Sequence, residues 1–198
     1  MATPHTEVDR WVQRLQATAA TAEKNIPPGL APWFQFARGA REEPTSAPTG
    51  QDESLWGALA AGEALPTPPP TEPRTELMRS LFPLTAETAL EVWTERDLSA
   101  LHAVSRLLER RDDPVWRRRL DGAVRWHLEN TQPDNATGRP WAIHLFIRRW
   151  LDHDDAAARL YAETLLQNCQ MLAARPDPLS AEILRDAADA LSPHPDHR

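Results

Sequence analysis

The sequence predicts an all-α protein, built as antiparallel helical hairpins in an irregular bundle or an α/α-hairpin stack, with an N-terminal arm attached through a proline-rich linker. Apolar residues recur every three or four positions along most of the chain, which gives a helix one apolar face. Short polar segments separate these stretches, and short connections favour antiparallel packing of neighbouring helices. No stretch alternates between apolar and polar residues as a half-buried strand does.

The first helix is predicted over residues 6–24, where the apolar residues lie on one face. Thr6 can cap it, and Asp9 three residues later completes a pattern similar to a capping box. The segment 27–29, Pro-Pro-Gly, ends the helix. The aromatic cluster at 33–36 is expected to pin a loop to the core.

A second, short helix is predicted around Trp56, with Asp52 or Ser54 as its cap. Trp33 and Trp56 are expected to be exposed in this part of the chain. Exposed indoles are common at protein interfaces, so this expectation favours a binding surface in the N-terminal region.

The proline-rich segment 65–73 is the clearest linker, because clustered prolines lack N–H donors and favour extended backbone. The sequence therefore divides into an arm at 1–64, this linker, a main domain at 74–192 and a frayed tail at 193–198. The arm is too small to bury enough surface by itself. We expect it to dock on the main domain, on a protein partner, or on a second copy of the chain.

Helices after the linker are predicted over residues 77–82, 86–93, 94–111, 113–130, 139–151, 155–175 and 180–191. The segment 94–97 resembles a capping box at a helix start. Asp113 followed by Pro114 combines an N-cap with proline at the first helical position. The acidic turn 152–155 suits the positive N-terminus of the helix that follows. Ser180 is the predicted cap of the last helix.

The chain is expected to be organised around residues 115–151, two helices joined by a very polar loop. This stretch holds four of the eight tryptophans. The second helix is apolar almost all round from Trp141 to Ile147, so its neighbours are expected to bury it.

The loop of this hairpin concentrates polar chemistry where two apolar helices meet. His127 follows Val124 and Leu120 on an apolar face, and His144 lies on a helix with almost no polar face, so both imidazoles are expected to be buried. The candidate catalytic residues are His127, Asp134 and His144. The candidate ligand-binding residues are Trp126, Glu129, Asn130, Gln132, Asn135, Arg139 and Trp141.

General acid–base chemistry by His127 is the reaction type these residues suit best. Asp134 is the better carboxylate partner, because Glu129 lies only two residues from His127 and points away on a helix. The alternative is structural: Asp134 and Asn135 form an Asx turn, and Arg139 closes the loop by a salt bridge. In that case His127 and His144 each bond to a backbone carbonyl or a core hydroxyl.

Composition limits the classes of partner. The formal net charge of −7 argues against nucleic acid or an anionic membrane surface. No apolar run approaches the roughly 20 residues that cross a bilayer, and Glu7 and Asp9 precede the first apolar run, so we expect neither a membrane span nor a signal peptide, and a cytoplasmic location.

Cys169, the only cysteine, excludes an internal disulfide and a cysteine zinc cluster, and we expect it to be buried in a helix. His102 could be a third imidazole near His127 and His144, but no pair has the i, i+4 spacing of a helical metal pair, so no metal or other cofactor is predicted.

Two functions remain open from the sequence. The first is a non-enzymatic binding or scaffold and assembly module, acting on a protein partner or forming a homo-oligomer through the N-terminal arm. The alternative is a small enzyme or ligand-binding domain for a carbohydrate-like or other polar metabolite, with its site at residues 126–144.

Overall fold

The structure, a computed structural model, describes residues 4–22, 31–39, 42–63, 65, 80–83, 88–131, 138–171 and 176–192. These residues form helices joined by turns and loops, with no strand among them, which confirms the all-α prediction. The helices are α1 (Pro4–Ala20), α2 (Pro32–Ala37), α3 (Gln51–Ala61), α4 (Leu90–Arg110), α5 (Pro114–Asn130), α6 (Ile143–His153), α7 (Ala156–Met171) and α8 (Pro178–Leu191). None of the described helices is long and apolar enough to cross a membrane.

The chain separates into two compact units. Residues 28–131 form one, here called the central unit, and residues 1–27 with 132–198 form the other, here called the terminal unit. Helix α1 therefore belongs with α6, α7 and α8, while α2 to α5 belong together. Most of the predicted linker lies outside the described residues, so the division into arm, linker and main domain stays a prediction.

Aromatic side chains form the first half of the central unit's core, where α2 packs on α3 and α3 on α4. Phe34 meets Trp56 edge to face, with ring centroids 4.9 Å apart, and Trp56 donates from Nε1 to Ser99 Oγ at 3.0 Å. Trp33 lies against Gly57, where a Cβ would come within 3.3 Å of its ring. Trp33 and Trp56 are buried. The expectation that they are exposed was wrong, because the aromatic cluster lies in α2, which packs on α3, and not in a loop.

Helix α4 begins earlier than predicted. It starts at Leu90, so the residues 94–97 lie in its second turn and are not a cap. Thr94 donates from its hydroxyl to the Leu90 carbonyl at 2.8 Å, and Asp97 faces the interior. The capping-box interpretation was wrong because the same residue pattern also fits inside a helix when tertiary partners satisfy the polar groups.

The N-terminal caps show which local patterns can be predicted. Asp113 accepts from the N–H groups of Val115 and Trp116 at 2.9 and 3.1 Å, which confirms the predicted start of α5. Asp155, in the predicted acidic turn, accepts from the N–H groups of Ala157 and Ala158 at 3.1 and 3.2 Å.

Three further predicted caps were wrong. The N-cap of α8 is Asp177, which accepts from the N–H groups of Leu179 and Ser180, and Ser180 lies inside the helix. The N-cap of α3 is Gly50, so Asp52 and Ser54 also lie inside their helix. Helix α1 begins at Pro4, which places Thr6 in its first turn.

In the terminal unit, α1 packs along α8, and α6 packs on α7 and α8. Phe146 and Tyr161 stack with centroids 4.2 Å apart and an interplanar angle of 19°, and Ile143 to Ile147 are buried. The burial of this stretch was predicted and is confirmed. The helix begins at Ile143 and not at 139, because Ala142 adopts a left-handed conformation with φ of 56°.

Cys169 is buried in α7, as predicted. Burial raises the pKa of its thiol to about 12, and the nearby Asp177 carboxylate adds to the rise. A thiol that stays protonated is a poor nucleophile.

Candidate ligand-binding site

A buried carboxylate–imidazole pair joins α4 to α5 within the central unit. Asp97 and His127 are both fully buried, and Asp97 Oδ2 lies 2.8 Å from His127 Nε2. Each residue lies on the apolar face of its helix, which brings the two side chains into the interior. Burying such groups is unfavourable unless every polar atom finds a partner.

The Asp97 carboxylate also holds a segment of backbone. Its Oδ1 accepts from the N–H of Phe82 at 2.7 Å, and its Oδ2 accepts from the N–H of Leu81 at 3.2 Å. The hydroxyl of Ser80 donates to the Phe82 carbonyl at 2.8 Å. One carboxylate thus fixes residues 80–83 against α4 and, through His127, against α5.

The second nitrogen of His127 is also occupied. Its Nδ1 lies 3.2 Å from Thr131 Oγ1, and that hydroxyl donates to the His127 carbonyl at 2.8 Å. A hydroxyl has one hydrogen, so its oxygen is left to accept from Nδ1–H. Both ring nitrogens of His127 are therefore engaged, Nε2 by the Asp97 carboxylate and Nδ1 by the Thr131 hydroxyl.

Two indoles enclose the His127 ring. Trp93 stacks on it with centroids 5.9 Å apart and an interplanar angle of 26°, and Trp126 meets it edge to face at 5.4 Å. Trp93 also donates from Nε1 to the Phe82 carbonyl at 3.2 Å. Asp97 and Trp93 therefore bond to the same peptide segment, Asp97 to its N–H groups and Trp93 to a carbonyl.

A cavity of about 280 Å³ lies beside this segment, between the starts of α3 and α4. The described residues that line it are Thr49, Gly50, Gln51, Asp52, Phe82, Pro83, Thr88, Trp93 and Arg96. Phe82 and Trp93 belong both to the cavity wall and to the surroundings of the buried pair. The Asp97–His127 pair therefore determines the position of one wall of the pocket.

Arg96 and Asp52 are the charged groups among the described lining residues, and they lie close together. A Cβ built on Gly50 would lie 2.6 Å from Asp52 Oδ1 and 3.4 Å from Arg96 Nη2, so both groups lie over the same backbone position. Burial raises the pKa of the Asp52 carboxyl, and the Arg96 guanidinium and the N–H groups of Asp52 and Glu53 offset part of that rise.

The start of α3 is held in place beside these charges. Thr49 donates from both its N–H and its hydroxyl to Glu53 Oε2, at 2.7 and 2.8 Å. Because both bonds end on one carboxylate oxygen of α3, they restrain the backbone between Thr49 and Glu53, which carries Gly50 and Asp52.

The predicted catalytic residues fall in different parts of the structure. His127 is in the central unit and His144 in the terminal unit, and both are fully buried, as predicted. Asp134 lies outside the described residues, as do Gln132 and Asn135. His127 is paired with Asp97, a partner that the sequence interpretation did not consider. The catalytic assignment stays a prediction.

The other predicted ligand-binding residues have varied environments. Trp126 is half-buried against His127, while Glu129 and Asn130 are exposed at the end of α5. Asn130 donates from Nδ2 to the Trp126 carbonyl at 2.9 Å. Arg139 is half-buried and Trp141 is buried. Their use in ligand binding also stays a prediction.

His102, the proposed third imidazole, is buried beside Trp56, with ring centroids 5.6 Å apart. Across the described ranges, no group of three or more His, Cys, Asp or Glu side chains is arranged to hold a metal ion.

Sequence reasoning missed Asp52, Trp93, Arg96 and Asp97. A signal for Asp97 was present, because it lies four residues before Leu101 and seven before Val104, on an apolar helix face. The same test had singled out His127. The pocket residues Asp52 and Arg96 had no such signal, since both are charged residues in polar surroundings along the chain.

Comparison of the chain with protein-family models, curated proteins and solved structures gives no match.

Proposed function

We propose that this protein is a cytoplasmic, non-enzymatic binding module that takes a small polar ligand into the pocket between the starts of α3 and α4. The observation that supports this proposal is that the buried pair is bonded to the pocket lining. Asp97 accepts from the N–H of Phe82, which lines the pocket, and from the N–H of its neighbour Leu81, and His127 in turn contacts Asp97. A binding site needs its contacts held in place before the ligand arrives, and buried supporting hydrogen bonds provide that.

Binding fits this geometry better than acid–base catalysis. A general base must come within about 3 Å of the proton that it removes. His127 is fully buried, and its ring nitrogens are engaged by Asp97 and Thr131. It is not among the described residues that line the pocket. The groups that line the pocket itself, Arg96 and Asp52, suit recognition of charge.

The proposal is tested by isothermal titration calorimetry of the full chain with a panel of small polar metabolites, including sugars, carboxylic acids and amino acids. Two matched variants separate pocket binding from other effects. Gln51→Trp places a large side chain at the pocket, and Gln167→Trp makes the same change on the exposed side of α7.

We expect at least one compound to bind the wild type and Gln167→Trp with 1:1 stoichiometry, and Gln51→Trp to bind it at least tenfold more weakly. Equal binding by the two variants would overturn the proposal. So would an absence of binding by every compound in the panel.

The same samples distinguish binding from turnover. A bound compound is expected to be recovered unchanged after prolonged incubation with the protein, as judged by mass spectrometry. Chemical conversion that His127→Gln abolishes would instead support the enzyme hypothesis for residues 126–144.

A further inference from the structure

We infer that the pocket recognises a small zwitterion, a molecule that carries an ammonium and a carboxylate group a few ångströms apart, of which free α-amino acids are the simplest class. This inference rests on the proposed binding function and specifies its ligand. It is based on the placement of Asp52 and Arg96 over the same backbone position and on the aromatic side chains of Phe82 and Trp93 that line the same cavity.

Arg96 supplies the site for the carboxylate. It lines the pocket from the second turn of α4, and its side chain is exposed. A guanidinium is planar and presents parallel N–H donors, which match the two oxygens of a carboxylate.

Asp52 supplies the site for the ammonium. A carboxylate accepts from N–H donors with the added attraction of opposite charge. Burial disfavours the ionised form of this group, as its raised pKa indicates, and the nearby Arg96 compensates only in part. A carboxylate in such a position is unfavourable for the fold alone, and perturbed groups of this kind are concentrated at functional sites.

The opposite charges select against ligands of a single charge. A simple anion bound to Arg96 would also face Asp52, and a simple cation bound to Asp52 would face Arg96. Repulsion of this type is a common source of specificity. A zwitterion satisfies both groups at once, which favours it over a phosphate or a polyamine.

The remaining wall and the volume limit the ligand's size. Phe82 and Trp93 provide an apolar surface beside the charged groups, suited to a hydrocarbon or aromatic side chain. At about 280 Å³ the cavity is slightly smaller than the range of roughly 300–1,000 Å³ for ligand pockets. The ligand is therefore a small metabolite.

The test compares free amino acids with their blocked forms by calorimetry on the full chain. The probes are L-leucine and L-phenylalanine, their N-acetyl derivatives, which lack the ammonium, and their amides, which lack the carboxylate. We expect at least one free amino acid to bind and both of its blocked forms to bind at least tenfold more weakly.

Two variants assign each charge to a residue. In Arg96→Gln the advantage of the free amino acid over its amide should disappear, and in Asp52→Asn its advantage over the N-acetyl form should disappear. Arg118→Gln and Asp154→Asn, exposed charges outside the pocket lining, are the matched controls and should preserve both advantages. Thermal melting of each variant excludes unfolding as the reason for lost binding.

The outcomes separate this inference from the function on which it rests. Equal binding of blocked and free forms would contradict the zwitterionic ligand but not the binding function of the pocket. The same holds if only compounds of a single charge bind and Gln51→Trp abolishes that binding. If Gln51→Trp and Gln167→Trp bind every compound alike, both proposals fail.

Discussion

Two aspartates, one in each unit, show opposite uses of a carboxylate. Asp155 in the terminal unit caps its own helix, accepting from N–H groups two and three residues away and from Arg149 Nε at 2.8 Å. Asp97 in the central unit is fully buried and joins segments 15 and 30 residues distant along the chain. Asp155 is therefore a local helix cap, whereas Asp97 makes tertiary contacts.

The two units also differ in the polarity of their cores. The core of the terminal unit includes an apolar contact, the stack of Phe146 on Tyr161. The carboxylate of this unit, Asp155, is partly exposed at a helix end. The central unit places a buried carboxylate and imidazole among indole rings. Because a hydrophobic pair would hold α4 and α5 together as well, the choice of Asp97 and His127 is best explained by the backbone that Asp97 holds at the pocket.

The largest expected effect is that of Asp97→Ala. It leaves the His127 ring and the N–H groups of Leu81 and Phe82 buried without their acceptor, which should lower the free energy of unfolding by about 3–5 kcal/mol. Urea denaturation followed by circular dichroism measures this. Asp97→Asn, which keeps an acceptor oxygen, should lose less. A loss no larger than that of Asp155→Ala would contradict the distinction between the two carboxylates.

Asp155→Ala should have a smaller effect, a loss of about 1 kcal/mol, typical of removing an N-cap. The contribution should also depend on pH. Burial acts to raise the pKa of Asp155, but the Ala157 and Ala158 N–H groups and Arg149 together lower it below 3.8.

A lowered folded-state pKa means that the stabilisation by Asp155 is complete above the unfolded-state value and is lost as the pH falls through the folded-state value. The difference in unfolding free energy between wild type and Asp155→Ala should therefore shrink in acid. A difference that stays constant from pH 6 down to about pH 2, which is below the usual range of an aspartate pKa, would contradict the assignment.

Asp52→Asn should have the opposite pH dependence. Because burial raises the pKa of Asp52 above 3.8, the folded state keeps its proton longer than the unfolded state does. Wild-type stability relative to Asp52→Asn should thus fall as the pH rises from the unfolded-state pKa through the folded-state pKa. Denaturation of both proteins across this range measures it. A relative stability that rises with pH would show that Asp52 is a stabilising carboxylate like Asp155.

The smallest expected effect is that of Glu129→Ala. Glu129 is exposed at the end of α5, so the free energy of unfolding should change by no more than about 0.5 kcal/mol. Ligand affinity should also be unchanged, because Glu129 does not line the pocket. Calorimetry with the best ligand of the panel checks this. Loss of binding by the folded variant would instead support the ligand site predicted at residues 126–144.

Local sequence patterns predicted much of the fold. The Asp113–Pro114 start of α5 and the acidic turn before α7 depend on residues within one helical turn, so their function is visible in the sequence. The burial of His127 and of residues 143–147 followed from helical periodicity. The wrong caps at Ser180 and at 94–97 have one cause: a polar residue near a helix start has several neighbours able to satisfy it, and packing selects among them.

The order of apolar and polar residues by itself determined that this chain is helical, where most helices lie, and that an imidazole would be buried on α5, because each of these depends on neighbours three or four residues apart. Only the tertiary structure decided that the partner of this imidazole is Asp97, and that Asp52, Arg96 and Trp93 surround one cavity. Those contacts join segments separated by tens of residues, whose meeting depends on how whole helices pack.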